Sequence, residues 1–100
     1  MQILYFYREN TPECQVTRQT LNNYLNKHKL KFTVKEINFD SGKSDCEKYR
    51  VYGVPTVIIT NQDKILGRHS GLLDLFELDN IFGPLINDTR INLNTTKNME

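Results

Sequence analysis

The sequence predicts an α/β fold of order β-α-β-α-β-β-α around a four-stranded mixed sheet. Three observations predict it. The run Ile3 to Tyr7 is continuously apolar or aromatic, as a central strand buried on both faces should be. A helical segment then separates it from a second strand, which requires a right-handed crossover and hence parallel pairing. Finally, two strand segments are joined by only Asn61-Gln62-Asp63, a hairpin connection. One hundred residues, 38% apolar and 25% charged, are enough for one core and one site.

The first strand ends in Arg8-Glu9-Asn10. Thr11-Pro12 supplies a helix start, because Thr caps free amides and proline loses nothing at the first helical position. The helix is expected from Pro12 to Lys29, with Cys14, Leu21, Leu25 and His28 on one stripe and Arg18, Gln19, Asn22 and Lys27 largely elsewhere. Phe32 to Ile37 alternates and is β-branched enough for the second strand. Asp40-Ser41-Gly42 reads as a turn into a short helix over Lys43 to Tyr49, with Cys46 and Tyr49 on one side. Thr56 to Thr60 and Lys64 to His69 form the hairpin. Gly71 breaks the chain before a last helix over Leu72 to Ile86, where Leu75, Leu78, Phe82 and Leu85 are the predicted apolar face and Asp74 and Glu77 are wet positions. It should pack beside the first helix. The domain is expected over residues 1–86. Residues 87–100 turn to Asn, Thr and charge, including Arg90 and Lys97, and read as a loose polar tail.

Composition excludes several function classes. A formal net charge of +1, with Lys and Arg scattered, offers no bulk attraction to nucleic acid or anionic lipid. No stretch approaches the roughly 20 apolar residues that span a bilayer, and an apolar strand follows Met1 directly without a basic then apolar leader, so a cytoplasmic protein without membrane association is expected. Cys14 and Cys46 are the only cysteines and fall in different elements, which is neither a disulfide framework nor a metal cluster. His28 and His69 have no spacing that suggests metal ligation. Tyr5, Phe6 and Tyr7 read as core and site-wall aromatics rather than a base-stacking platform.

The pair of segments Thr11-Pro12-Glu13-Cys14 and Tyr49-Arg50-Val51-Tyr52-Gly53-Val54-Pro55-Thr56-Val57 resembles the two lips of a thiol site of the thioredoxin superfamily, and the element order is similar to the compact thioredoxin/glutaredoxin-like core over residues 2 to 86. The resemblance implies a cis Val54-Pro55 bond, a Val54 backbone edge that pairs with extended substrate, Pro55 as the wall of the thiol pocket, and Gly71 as the glycine that lets substrate backbone pass close by. It also implies that Thr11 replaces the exposed nucleophilic cysteine and Cys14 matches the second, resolving one. Tyr5 stands where thioredoxins carry a buried aspartate. Both departures remove parts of the ordinary dithiol cycle.

A thiol in the first turn of a helix feels the positive end of the dipole, which favours thiolate. The Thr11 hydroxyl, three residues upstream, is placed to donate a hydrogen bond to that sulfur, and Arg8 to support the thiolate by folding back, whereas Glu13 opposes it. Thr11-Pro12 followed by Cys14 also resembles the peroxiredoxin loop superficially, which makes peroxide reduction a third reading. Against these stands an inert, buried Cys14. Cys46 reads as a core thiol, on the opposite sheet face from Cys14 and so too far for a disulfide without movement. The expected function is a thioredoxin-like thiol-disulfide redox protein acting through Cys14 and Thr11 by mixed-disulfide chemistry, with weak turnover. Its partner would be a protein or small-molecule thiol or disulfide, bound at Val54, Pro55 and Gly71. It would need no metal or cofactor beyond an external low-molecular-weight thiol, as a monomer or weak dimer. The alternative is a redox-inactive binding module that holds a peptide or partner protein on the Val54 edge.

Overall fold

The computed structural model describes residues 1–84. Strand β1 (Gln2–Tyr7) leads into helix α1 (Pro12–Lys27), strand β2 (Thr33–Asn38), helix α2 (Lys43–Lys48) and the strands β3 (Thr56–Asn61) and β4 (Lys64–Ser70). Residues 75–84 form a further helix, α3. The sheet order is β2-β1-β3-β4. β1 runs parallel to β2, with Phe6 opposite Ile37, and antiparallel to β3, with Tyr5 opposite Val57. The β3–β4 turn places Gln62 and Asp63 at φ 52° and 68°, the handedness that matches strand twist. Leu66 is an extra residue in β4: Ile59 pairs with Gly67 and Thr60 with Ile65.

Alternation along the central strands explains why β1 is apolar throughout. Ile3, Tyr5, Val57 and Ile59 bury on one face against Cys14, Leu21, Tyr24 and Leu25 of α1 and Leu78 and Phe82 of α3. Leu4, Phe6 and Ile58 bury on the other against Ile37, Cys46 and Val51. Two helices therefore share one face and α2 covers the other, as the sequence predicted. Phe82 ties the first layer together, its ring 5.5 Å from that of Tyr24 and 5.7 Å from that of Phe32.

Two helix boundaries differ from expectation for identifiable reasons. α1 stops at Lys27 because Lys29 adopts φ 53° and the Leu30 N–H returns to the Leu25 carbonyl, a left-handed C-terminal cap. α3 begins after Asp74, whose Oδ1 accepts the Glu77 N–H at 2.9 Å. That cap puts Leu73, rather than Leu72, into the core beside Leu78, the staple arrangement at a helix start. Leu75, predicted to face inward, is consequently 58% exposed. Leu85 and the predicted tail lie outside the described residues.

Candidate functional site

β1 delivers Arg8-Glu9-Asn10 to the edge of the sheet, and Asn10, at φ 57°, turns the chain into α1. Thr11 is the residue before the helix and Pro12 opens it. The Thr11 carbonyl accepts the N–H groups of Cys14 and Gln15, both at 3.1 Å. Cys14 is thereby fixed in the first turn with its side chain turned inward, 2% exposed. The Thr11 hydroxyl does not serve that sulfur: it donates to the Glu9 carbonyl at 3.3 Å, which corrects the expectation of a Thr11–Cys14 side-chain bond. Arg8 does not fold back as a partner of the thiol either. Its Nε and Nη2 bind the Asp40 carboxylate at 3.1 and 2.9 Å, and its guanidinium lies 5.2 Å over the Phe39 ring.

Beneath Cys14 lies Tyr5, fully buried, its O–H donating to the Cys14 carbonyl. Burial, and secondarily the negative charge of Cys14, hold the Tyr5 phenol far above its ordinary range, so the hydroxyl stays protonated. Tyr5 stacks with Tyr7 at 5.7 Å, and Arg18 spans both rings at 5.5 and 5.0 Å. Arg18 is held there by Glu36 of β2, which accepts from its Nε and Nη2 at 3.2 and 3.0 Å. Sequence reasoning missed this assembly. Arg18 sits four residues after Cys14, one helical turn on, and that spacing was the available signal.

The second lip is built from the β3 entry. The Val54–Pro55 peptide is cis. Pro55 is buried, and its carbonyl accepts the Gly71 N–H at 2.8 Å. Gly71 occupies φ 99°, a region that favours glycine, with open space where a Cβ would stand. Val54 is half-buried and packs on both core clusters, one of which contains Cys14. The structure thus brings Val54, Pro55 and Gly71 together and joins Val54 to the Cys14 layer. Arg68 braces the approach to the proline by donating to the Tyr49 and Arg50 carbonyls at 2.9 and 3.1 Å. His69 does the same for the Gly71 turn, its Nε2 3.1 Å from the Leu72 carbonyl and its Nδ1 3.5 Å from Glu77.

A cleft of about 270 Å³ opens at the end of β1, lined by residues 7–10, the Glu9 carboxylate among them, with Cys14, Gln15 and Arg18. Val54, Pro55 and Gly71 take no part in it. Cys46 is also a free thiol but packs in the other cluster, where burial, with Asp45 adding to it, pushes its thiol up. Its Sγ lies 3.9 Å from the Phe39 carbonyl. Among the described residues no group of His, Cys, Asp and Glu could hold a metal ion, and no helix is long and apolar enough to cross a membrane.

Comparison with known proteins places these features. A family model described as Thioredoxin matches residues 1–82. Among curated proteins none matches the sequence. Among solved structures, thioredoxin 1 from the thermophilic eubacterium Thermosipho africanus is similar with a TM-score of 0.75 and 19% identity, covering 90% of this chain and 99% of that one. Thioredoxin-2 of a malaria parasite, described as a component of the protein secretion machinery there, aligns with a TM-score of 0.68 and 20% identity over 86% of this chain and 80% of its own. A point mutant of thioredoxin from Halobacterium salinarum gives 0.67 and 23% over 81% and 71%.

Proposed function

Since the chain belongs to the thioredoxin family, we propose that it is a thiol-disulfide redox protein acting through the single thiol of Cys14. The observation that carries this reading is the position of that thiol, in the first turn of α1 with its amide held by the Thr11 carbonyl, in the core layer on which Val54 packs. In the proposed cycle the Cys14 thiolate attacks one sulfur of a disulfide, the S–S bond breaks, and the leaving thiolate takes a proton from water. A mixed disulfide remains on Cys14. With threonine at position 11 no neighbouring thiol resolves it, so an external thiol attacks the mixed disulfide and releases the protein thiol, and turnover is slow. Thr11 contributes by fixing the helix start. Val54 offers its backbone edge, Pro55 walls the thiol side, and Gly71 leaves room for a passing substrate chain. The reading needs no metal or bound cofactor, and the proposed setting is a reducing cytoplasm that supplies the external thiol to a monomer or weak dimer.

The test is mass mapping of the full chain after incubation with oxidised glutathione, together with the pH dependence of alkylation. An adduct on Cys14 and none on Cys46 supports the proposal; a Cys14 that stays unmodified while the protein is folded defeats it.

Two observations favour a second reading. Cys14 is 2% exposed and the Thr11 hydroxyl is engaged with Glu9, which suits a chain that keeps the Val54 edge for binding a peptide and has given up thiol chemistry. Cys14→Ser separates the two. Capture of an extended peptide that survives this substitution unchanged belongs to the binding module, and covalent complexes that vanish belong to the thiol.

A further inference from the structure

Three threonines are buried among the described residues, Thr17, Thr56 and Thr60. Two of them are satisfied: Thr56 donates to the Gly53 carbonyl at 2.8 Å and Thr60 to the Gln2 carbonyl at 3.4 Å. Thr17 is 0% exposed, and its hydroxyl pairs with no described residue. A threonine inside a helix ordinarily donates to the carbonyl three or four residues back. Here those carbonyls belong to Cys14 and Glu13, and neither receives the proton. An unpaired buried hydroxyl costs stability, and valine has the same shape without that cost, so packing alone does not account for Thr17. Its nearest polar neighbour along the helix face is a sulfur. Thr17 follows Cys14 by three residues on the buried stripe of α1, which continues through Leu21, Tyr24 and Leu25. Residues so spaced have Cβ atoms about 5–6 Å apart, and helical side chains lean toward the N-terminus, so Thr17 leans over the turn that carries Cys14. The other hydroxyls around that thiol are engaged: Thr11 donates to the Glu9 carbonyl and Tyr5 to the Cys14 carbonyl. Of these three hydroxyls, that of Thr17 keeps a proton to give.

We propose that the Thr17 hydroxyl is the hydrogen-bond donor of the Cys14 sulfur in its anionic state, the role that the sequence suggested for Thr11. The inference rests on the mixed-disulfide reading and names the residue that steadies its thiolate. While the thiol is protonated the sulfur is a weak acceptor, and the hydroxyl goes without a partner. Once the thiol gives its proton to water, a full negative charge stands in a layer lined by Val54, Val57 and Leu78. Rotation of the Thr17 side chain about its Cα–Cβ bond then brings the O–H onto the sulfur, a charge-assisted bond that is stronger than a neutral one. The same bond serves when the mixed disulfide is resolved. An external thiolate attacks the substrate sulfur, the S–S bond breaks, and its electron pair leaves on the Cys14 sulfur, which Thr17 holds until a proton returns from water. The hydroxyl thus destabilises the resting fold and favours the reacting state.

The experiment compares the full chain with Thr17→Val, which keeps the shape and deletes the hydroxyl, and with Thr17→Ser, which keeps the hydroxyl. Alkylation of Cys14 by iodoacetamide is followed by mass mapping from about pH 6 to about pH 10, and stability by urea unfolding. The titratable or charged groups around that sulfur are Tyr5 and Tyr7 of β1, Arg8 and Glu9 at its end, Glu13 and Arg18 of α1, and Glu36 of β2 behind Arg18; all are the same in the three proteins. Thr17→Val is expected to be more stable, with a folding constant raised about fivefold, and yet less reactive. Its alkylation profile should move about one pH unit to the alkaline side, which is a rate about tenfold lower near neutrality. Thr17→Ser should lie nearer the unaltered profile than Thr17→Val does. An unshifted Thr17→Val profile overturns the assignment, and so does a rate lowered by one factor at every pH, which reports slower opening of the fold. Thr17→Ser aligned with Thr17→Val overturns it as well. A Thr17→Val that folds less stably than the unaltered protein, or not at all, does the same, because the hydroxyl then has a structural partner. Each of these results leaves Cys14 chemistry standing. A Cys14 that resists alkylation in the folded protein at every pH defeats the mixed-disulfide reading, and this inference with it.

Discussion

Tyr5→Phe tests how the strand under the thiol supports the site. The substitution deletes one hydroxyl from a side chain that is 1% exposed and donates to the Cys14 carbonyl. That carbonyl lies within α1, where the helical ladder engages it as well, so the change removes one hydrogen bond without orphaning the acceptor. The expected loss near neutral pH is about 1 kcal/mol. Alkaline pH reverses the comparison. The Tyr5 phenol is raised from a reference of 10.0, first by burial and next by the charge of Cys14. Below that reference both folded and unfolded chains hold the proton and the phenol adds no pH dependence. Above it the unfolded chain releases the proton while the folded chain keeps it, so stability falls as pH rises, approaching about 1.4 kcal/mol per pH unit. By about pH 11 the unaltered protein has lost about 1.4 kcal/mol through this group, more than the hydrogen bond supplies. The two stability curves should therefore cross between about pH 10.5 and about pH 11. The other tyrosines are present in both proteins and cancel. Urea unfolding followed by far-ultraviolet circular dichroism, from about pH 7 upward, measures both curves. Parallel curves across the alkaline range would refute the buried, protonated phenol.

Phe82→Ala should cost about 3–5 kcal/mol, since the ring is fully buried between Tyr24 and Phe32, and the loss reads directly as a lower urea midpoint. Two glycine substitutions should be unequal for different reasons. In Gly42→Ala the new Cβ would meet Ile37 Cγ2 at 2.6 Å and the Asn38 carbonyl oxygen at 2.8 Å, so backbone must shift; in Gly71→Ala it meets nothing and only the φ of 99° is strained, at about 1–3 kcal/mol. Thermal unfolding of the pair should show the larger drop for Gly42→Ala, and a larger drop for Gly71→Ala would contradict the packing at Gly42. Thr11→Cys should restore a dithiol at the helix start: mild oxidation then removes two titratable thiols per chain without forming dimers, where the unaltered protein loses none to an internal bond.

The chain itself determined the layer plan, because hydrophobic period and turn chemistry are local properties. A run of apolar residues at Ile3 to Tyr7 can be buried only with cover on both faces, and the short connection Asn61-Gln62-Asp63 permits only a hairpin. The likeness of residues 49–57 to a known segment added the proline lip, and Cys14 was visible as a thiol in a first helical turn. Tertiary contacts decided the rest. The Thr11 hydroxyl had Glu9 and Cys14 both within chain reach, and the bend at Asn10 settled which one it serves. Leu75 fits the apolar stripe by spacing, and Leu78 and Phe82 of that stripe are buried, yet the helix starts only at Leu75 after the cap at Asp74, which leaves Leu75 exposed with Leu73 inside instead. In the sequence Arg8 reads as a support for the Cys14 thiolate and Arg18 as a position off the apolar stripe; their partners proved to be Asp40 and Glu36, carboxylates 32 and 18 residues away that only the sheet brings alongside. Local pattern specifies which residues must leave water. Which polar group meets which depends on distances across the fold, and those are set by packing that no short segment contains.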